Sequence, residues 1–416
     1  MPTSSSKGYQ TRLMVLLSIS FGFVFLDRNA FSFLAPFIQK ELDLNNTQIG
    51  MLTSALSFTW AISGYLIGRY SDSTGKRKSI LLLTFVVFSL SSVVSGLAQS
   101  FFMLMAARLI MGFAEGPILP ISQSLVALES SAASRGNAMG VMQNFGSNFI
   151  GSFIAPLLLV AIANAYNWRG AFFVAAVPGL IMAALMAKYI REPPRATPAQ
   201  TAALAAAGGN MSSWRMLAVR NIWLSVLISC VMVAWMVLGW SFLPLYYTNV
   251  RHIPASEMSI LMSVLGISAA AFAFVVPRLS DSFGRKPIMV IFCLVGVLVP
   301  IVAHYFQGSS YLLGALIFLG WSASGAFPIF MATIPSESLP PRYLASSLGL
   351  VMGLGEIIGG VSAPTLAGMA SDAYGLQASM LIMGGCAVVG GVLALFLKET
   401  APVKVGAGAV PQPVPG

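Results

Sequence analysis

The sequence predicts an all-α membrane protein, with twelve transmembrane helices in two pseudo-symmetric six-helix bundles. Three observations predict it. The chain is 57% hydrophobic and only 9% charged, with a mean hydropathy of +0.82, whereas a soluble domain carries roughly 25% charged residues. Its apolar residues gather into runs long enough to cross a bilayer, which takes about 20 residues per helix. The second half of the chain also repeats landmarks of the first.

The apolar runs fall at about 12–38, 48–69, 79–98, 101–128, 136–160, 169–191, 221–248, 257–279, 288–306, 310–335, 344–370 and 377–397. The first is not read as a cleaved leader, because it holds two charges at its centre and a second run follows closely. Residues 1–11 form a polar tail. The stretch 192–220, rich in Pro and Ala with scattered Arg, has the composition of a linker. It separates a bundle at 12–191 from a bundle at 221–397. Residues 398–416 form a second tail, rich in Pro, Gly and Val.

Of the 23 Lys and Arg residues, eighteen lie in the tails and in alternate connections. Lys40, Arg169 and Arg251 lie in the opposite connections, and Arg28 and Arg108 sit inside apolar runs. Positive residues stay on the cytoplasmic side. Both termini and the linker are therefore expected in the cytoplasm, and the short loops suit a bacterial inner membrane. The net charge of +10 reads as a topology signal with a minor role in contacting anionic lipid headgroups. No basic soluble segment is present to bind nucleic acid. Cys230, Cys293 and Cys386 lie inside apolar runs without disulfide or metal spacing, and His252 and His304 are isolated. No metal cluster, cofactor loop or nucleophile with a base is legible, so the expectation is a non-enzymatic, monomeric protein without cofactor.

An offset of 208 residues pairs Gly112 with Gly320, Pro120 with Pro328, Glu129 with Glu337, Gly151 with Gly359, Pro156 with Pro364 and Tyr166 with Tyr374. Two halves related in this way imply two packed bundles with a site at their interface near the membrane midplane.

Charges at membrane depth cost a few kcal/mol or more each and so mark function. Asp27 and Arg28 are adjacent within FVFLDRNAFSFLAP, 23–36. Helical neighbours point about 100° apart, so one can face a cavity and the other a partner helix. Arg28 offers a planar fork of donors suited to a carboxylate. Arg108 and Glu115, in RLIMGFAEGPILP, 108–120, share a helix face with Gly112 between them. Gly116, Pro117 and Pro120 are expected to bend that helix. A buried acid beside an arginine suits proton exchange. The alternative is a fixed Arg108–Glu115 or Arg108–Asp27 salt bridge that only holds helices together. Glu356, in LGLVMGLGEIIGG, 348–360, is either a third titrating group or an acid packed between helices. Neutral candidates are Trp60, Tyr65, Gln143, Asn144, Asn148, Trp240, Tyr246 and Tyr247, of which the last two also suit a membrane-interface belt.

Two connections remain, GRYSDSTGKRK at 68–78 and PRLSDSFGRKP at 277–287. Gly68, Asp72, Gly75 and Arg77 in the first, and Asp281, Gly284 and Arg285 in the second, are expected to latch helix ends as a gate. Their spacing resembles the loop signature of the major facilitator superfamily in both halves, with Pro277 replacing the first glycine of the second copy. Within that superfamily, LDR followed by SFLAP, Arg108 with Glu115, and NWRGAF at 167–172 resemble the anion:cation symporters, which carry sugar acids, other organic anions and vesicular glutamate. The likeness is weaker in the second half. It implies that Arg28 contacts a substrate carboxylate and that Asp27 and Glu115 are protonation sites. Arg108 and Glu356 join these two as proton-coupling candidates. Tyr65, Asn144, Asn148, Trp240 and Tyr246 are the neutral substrate contacts expected. Several members of that family carry a second arginine in span seven, and 221–248 has none, which favours a single carboxylate. The expected function is proton-coupled uptake of an organic monocarboxylate by alternating access. A proton-driven exporter or an anion exchanger uses the same features, and a membrane sensor is the reading from another class.

Overall fold

The computed structural model describes residues 7–129, 142, 146–192, 213–340 and 343–405. Twelve helices among these residues are long and apolar enough to cross a membrane. They are Gly8–Glu41, Asn46–Ser71, Arg77–Gly96, Phe101–Val126, Gly146–Ala165, Trp168–Tyr189, Arg220–Val250, Ala255–Phe283, Arg285–Tyr305, Ser310–Ser338, Ser346–Tyr374 and Gln377–Leu395, numbered here as spans 1 to 12. No strand occurs among the described residues.

The helices begin where short polar side chains can satisfy their first free amides. Asn45 and Gln48 form a reciprocal capping box at span 2, with bonds of 2.8 and 3.0 Å. Ser100, Asn167 and Ser309 cap spans 4, 6 and 10. Gly75, left-handed at φ 69°, ends the helix of span 2, where a side chain would be strained. Span 5 differs from expectation. It reaches Ala165, because ANA continues the helix up to the turn before the Asn167 cap, and the stretch 136–141 lies outside the described residues.

Six spans are not continuous α-helix among the described residues: span 7 ends in a π-helical turn, span 9 is interrupted at Gly296–Val297, and the other four break in matching pairs. Span 5 widens to a π-helical turn at Phe149–Ile154, and span 11 does so at Glu356–Ser362. Each turn is followed by a proline, Pro156 or Pro364. A proline has no amide hydrogen and crowds the carbonyl four residues before it, and a widened turn relieves both conflicts. Span 4 is interrupted after Glu115, at Gly116–Pro117, and span 10 tightens to a 3₁₀ turn at Ser322–Ala326. The breaks of spans 4 and 5 recur in spans 10 and 11 at the 208-residue offset, so there the repeat extends from sequence to helix anatomy.

By internal contacts the chain groups into two compact units, Met1–Arg195 with Pro244–Ala270, and Ala196–Leu243 with Ala271–Gly416. In the first, Leu13, Leu17, Phe85, Phe88, Met111 and Met182 pack into one core. Apolar burial gives little drive inside a bilayer, so close backbone approach through small residues takes over. Gly112 and Gly116 of span 4 lie against Leu56, Thr59, Trp60 and Gly64 of span 2 with no room for a side chain. Gly146 and Gly151 of span 5 lie in the same way against Ser18 and Phe25 of span 1.

Candidate functional site

Span 1 carries the two adjacent charges in different directions. Asp27 is fully buried and points toward spans 3 and 6. The Ser92 hydroxyl donates to its Oδ1 at 2.6 Å and also lies 3.1 Å from the Phe172 carbonyl oxygen. Its second oxygen, Oδ2, has no hydrogen-bond partner. Arg28 is half-buried and turns to span 2, where its guanidinium lies over the Trp60 ring at 5.2 Å and over Phe25 at 5.9 Å. The next residue, Asn29, donates to the Gly151 carbonyl at 3.1 Å and ties span 1 to the π-helical turn of span 5.

Span 4 supplies the other two charges. Arg108 is buried, and both its terminal nitrogens donate to the backbone carbonyl of Arg28, at 3.3 and 3.4 Å. Its guanidinium covers the Phe31 ring at 5.0 Å. Glu115, the last residue before the break in span 4, is buried with neither carboxylate oxygen hydrogen-bonded. Arg108 reaches span 1 at Arg28 and lies on the same helix as Glu115, so the four charges gather on spans 1 and 4 inside the first unit. No ion pair joins Arg108 to Asp27 or Glu115 among the described residues. That removes the fixed salt bridge allowed by the sequence. The two terminal nitrogens of Arg108 turn to a main-chain carbonyl of span 1 instead, and its Nε has no hydrogen-bond partner.

The neutral candidates are scattered. Trp60 joins the cluster as the platform under Arg28, whereas Tyr65 is exposed. Asn148 is half-buried at the start of the π-helical turn, and Gln143 and Asn144 lie outside the described residues. Tyr246 and Tyr247 are both buried, so the membrane-belt reading of that pair is corrected: span 7 ends in a π-helical turn, Tyr246–Val250, that holds both rings inside. In the second unit, Trp240 and Trp235 pack against Trp321, with ring centroids 5.2 and 4.6 Å away. Glu356 opens the π-helical turn of span 11 and folds its carboxyl over Gly360, where a side chain would collide with it. A groove of about 410 Å³ lined by Pro300, His304, Tyr305, Gln377 and Gly385 holds none of the clustered charges.

The gate residues sit at helix ends. Gly68 lies against Pro120, and Gly75 is the left-handed cap. The Asp72 side chain lies outside the described set, and Arg77 starts the helix of span 3. In the second copy, Arg285 pairs with Asp281 and makes a two-pronged contact with Glu337, at 2.8 and 3.2 Å. Gly284, at φ 108°, makes the turn before it. Two acids that the sequence reading passed over complete both copies. Glu192 accepts from the Lys78 and Ser79 amides at the start of span 3, and Glu399 accepts from the Arg285 and Lys286 amides at the start of span 9. Their signal was the repeat itself, since both follow the last span of their half. NWRGAF also has a structural explanation. Asn167 caps span 6, and Trp168 and Arg169 both bond Glu41 at the end of span 1.

Comparison with known proteins decides the family. The family model of the Major Facilitator Superfamily matches residues 17–350 and 230–415. The chain belongs to that superfamily. A hexuronate transporter of Bacillus subtilis (strain 168) is 36% identical over 42% of this chain and 40% of its own length. A phosphoglycerate transporter protein of Salmonella typhimurium is 24% identical over 90% of this chain and 86% of its own. Among solved structures, a bacterial homologue of the human lysosomal transporter Spinster superposes with a TM-score of 0.80 at 19% identity, covering 94% of this chain and 97% of that one. This superfamily protein is a multi-pass membrane transporter, and neither its family nor its fold is that of an enzyme.

Proposed function

We propose that the protein is a proton-coupled symporter that brings an organic monocarboxylate into the cell by alternating access. The observation that carries this reading is the cluster on spans 1 and 4: one half-buried guanidinium, Arg28, on an aromatic platform, beside two buried acids, Asp27 and Glu115. Arg28 docks the substrate carboxylate in a charge-assisted, two-pronged contact. Asp27 and Glu115 take up protons from the outer side. Neutralising them removes the cost of carrying bare charge through a closed, dry intermediate. Inward release of substrate and protons resets the cluster. Arg108, fastened to the Arg28 carbonyl, holds span 1 in register with span 4.

The relatives named for hexuronate and for phosphoglycerate support an organic acid as substrate. Span 7 has no arginine beyond its first residue, Arg220, which supports a single carboxylate. The excess of Lys and Arg on one set of connections supports cytoplasmic termini, and the short loops suit a bacterial inner membrane. The carrier works as a monomer.

The test is thermal stabilisation of the purified protein by a panel of uronates, aldonates, phosphoglycerate, neutral sugars and lipophilic cations, since a ligand raises apparent stability by mass action. One class of monocarboxylates is expected to raise the melting temperature, and Arg28→Ala is expected to abolish the shift. Stabilisation by lipophilic cations alone, or an equal carboxylate response in Arg28→Ala, contradicts the proposal.

A further inference from the structure

The contact between Asp27 and Ser92 carries more than an anchoring role. A serine hydroxyl has one hydrogen to donate. Here it has two acceptors, Asp27 Oδ1 at 2.6 Å and the Phe172 carbonyl oxygen at 3.1 Å, on two different spans. Its hydrogen can point fully at only one of them. All three groups are buried from solvent, and Asp27 and Ser92 are completely so. We propose that Ser92 is a positioning residue for Asp27, whose hydroxyl turns between the Asp27 carboxyl and the Phe172 carbonyl as Asp27 loses and gains a proton. This rests on the reading of Asp27 as a protonation site.

The bonding balances in both states. With Asp27 ionised, Ser92 donates to the carboxylate, and 2.6 Å is the length of a charge-assisted O–H···O⁻ bond. When a proton binds Asp27, a new O–H bond forms on the carboxyl and nothing else leaves. That O–H donates to Ser92 Oγ, and the serine hydrogen swings to the Phe172 carbonyl. Asp27 Oδ1 and Ser92 Oγ stay bonded to each other in both states, so the swing avoids a stranded buried donor. It also reports the protonation of Asp27 to the backbone of span 6.

The neighbouring charges leave Ser92 as the adjustable partner. Away from the span ends, the charged groups on spans 1 and 4 besides Asp27 are Arg28, Arg108 and Glu115. Spans 3 and 6 carry their own titratable groups, Arg77, Lys78, Arg169, Lys188 and Tyr189, only near their ends. Span 3 therefore meets Asp27 through an uncharged hydroxyl. The second half offers a natural control. At the 208-residue offset, Trp235 replaces Asp27 and Pro300 replaces Ser92. There the indole donates to the Gly296 carbonyl of span 9 at 3.0 Å. A non-titrating donor suffices to tie the equivalent spans, so joining helices does not require an acid and a rotating hydroxyl.

Infrared titration of the protein in lipid nanodiscs, from about pH 4 to about pH 10, tests this without a substrate. Protonated buried acids give a carbonyl stretching band, and the Asp27 band is the one lost in Asp27→Asn. In Ser92→Ala the band is expected to rise in frequency, and its midpoint to move by about one pH unit to higher pH, because a donor to the charged form is gone. Ser92→Thr, which restores the hydroxyl, is expected to return both towards wild type. An unchanged midpoint and frequency in Ser92→Ala overturns the role of Ser92 and leaves Asp27 as a titrating group. No Asp27-dependent band at any pH overturns the Asp27 reading, and this inference with it.

Discussion

Asp27 and Arg28 are neighbours in sequence and work on different surfaces. Their helical offset sends the acid toward spans 3 and 6 and the guanidinium toward Trp60. The split was legible in the sequence, but which residue took which side was not. That choice depends on Ser92 and Trp60, and one serine in a serine-rich span carries no distinguishing mark. Glu115 gives the sharpest prediction at this scale. Neither of its oxygens is hydrogen-bonded, so an amide of the same shape loses no hydrogen bond there, and removing the desolvation cost of the buried charge offsets the lost attraction to the arginines. Glu115→Gln is expected to melt within about 1 kcal/mol of wild type while losing proton-driven accumulation. Thermal unfolding paired with vesicle uptake checks this, and a large loss of stability with normal accumulation would identify Glu115 as a structural post.

Hydropathy located every span, because length and apolarity are all that a bilayer crossing demands. The π-helical turns at Phe149–Ile154 and Glu356–Ser362 were not visible, since hydropathy is blind to helix register, although Pro156 and Pro364 were their markers. The caps supplied by Glu192 and Glu399 were missed for a related reason. Each acid lies far in sequence from the amides it binds, and only the fold brings them together. Removing a helix cap costs about 0.5–2 kcal/mol. Glu192→Ala and Glu399→Ala are therefore each expected to lower unfolding stability by an amount in that range, read as a lower melting temperature, with substrate affinity retained. A change in affinity without a change in stability would contradict a capping role. Close packing gives another expectation. A valine at Gly116 would drive its side chain into the Trp60 carbonyl and the Gly64 amide. Gly116→Val should cost about 1–3 kcal/mol, and Gly353→Ala, where a methyl group meets nothing within 4 Å, should be neutral by the same assay.

Across the whole chain, the irregular helices of spans 4 and 5 return in spans 10 and 11, and the two halves differ in the charges they carry. The first holds Asp27, Arg28, Arg108 and Glu115. The second has Trp235, Met236, Leu316 and Ala323 at those positions and builds an aromatic cluster around Trp321. The repeat made the shared anatomy legible from sequence, and the unmatched charges showed where the halves part. Proton-coupled entry of an organic monocarboxylate joins these observations into one account. Its most direct test uses the purified protein in proteoliposomes with a pH-sensitive dye inside, no imposed gradient, and the monocarboxylate that stabilises the protein most strongly. Adding that acid outside is predicted to acidify the lumen as it enters, and Asp27→Asn is predicted to remove the acidification. Entry of the acid with no proton movement in the wild-type protein would contradict the account.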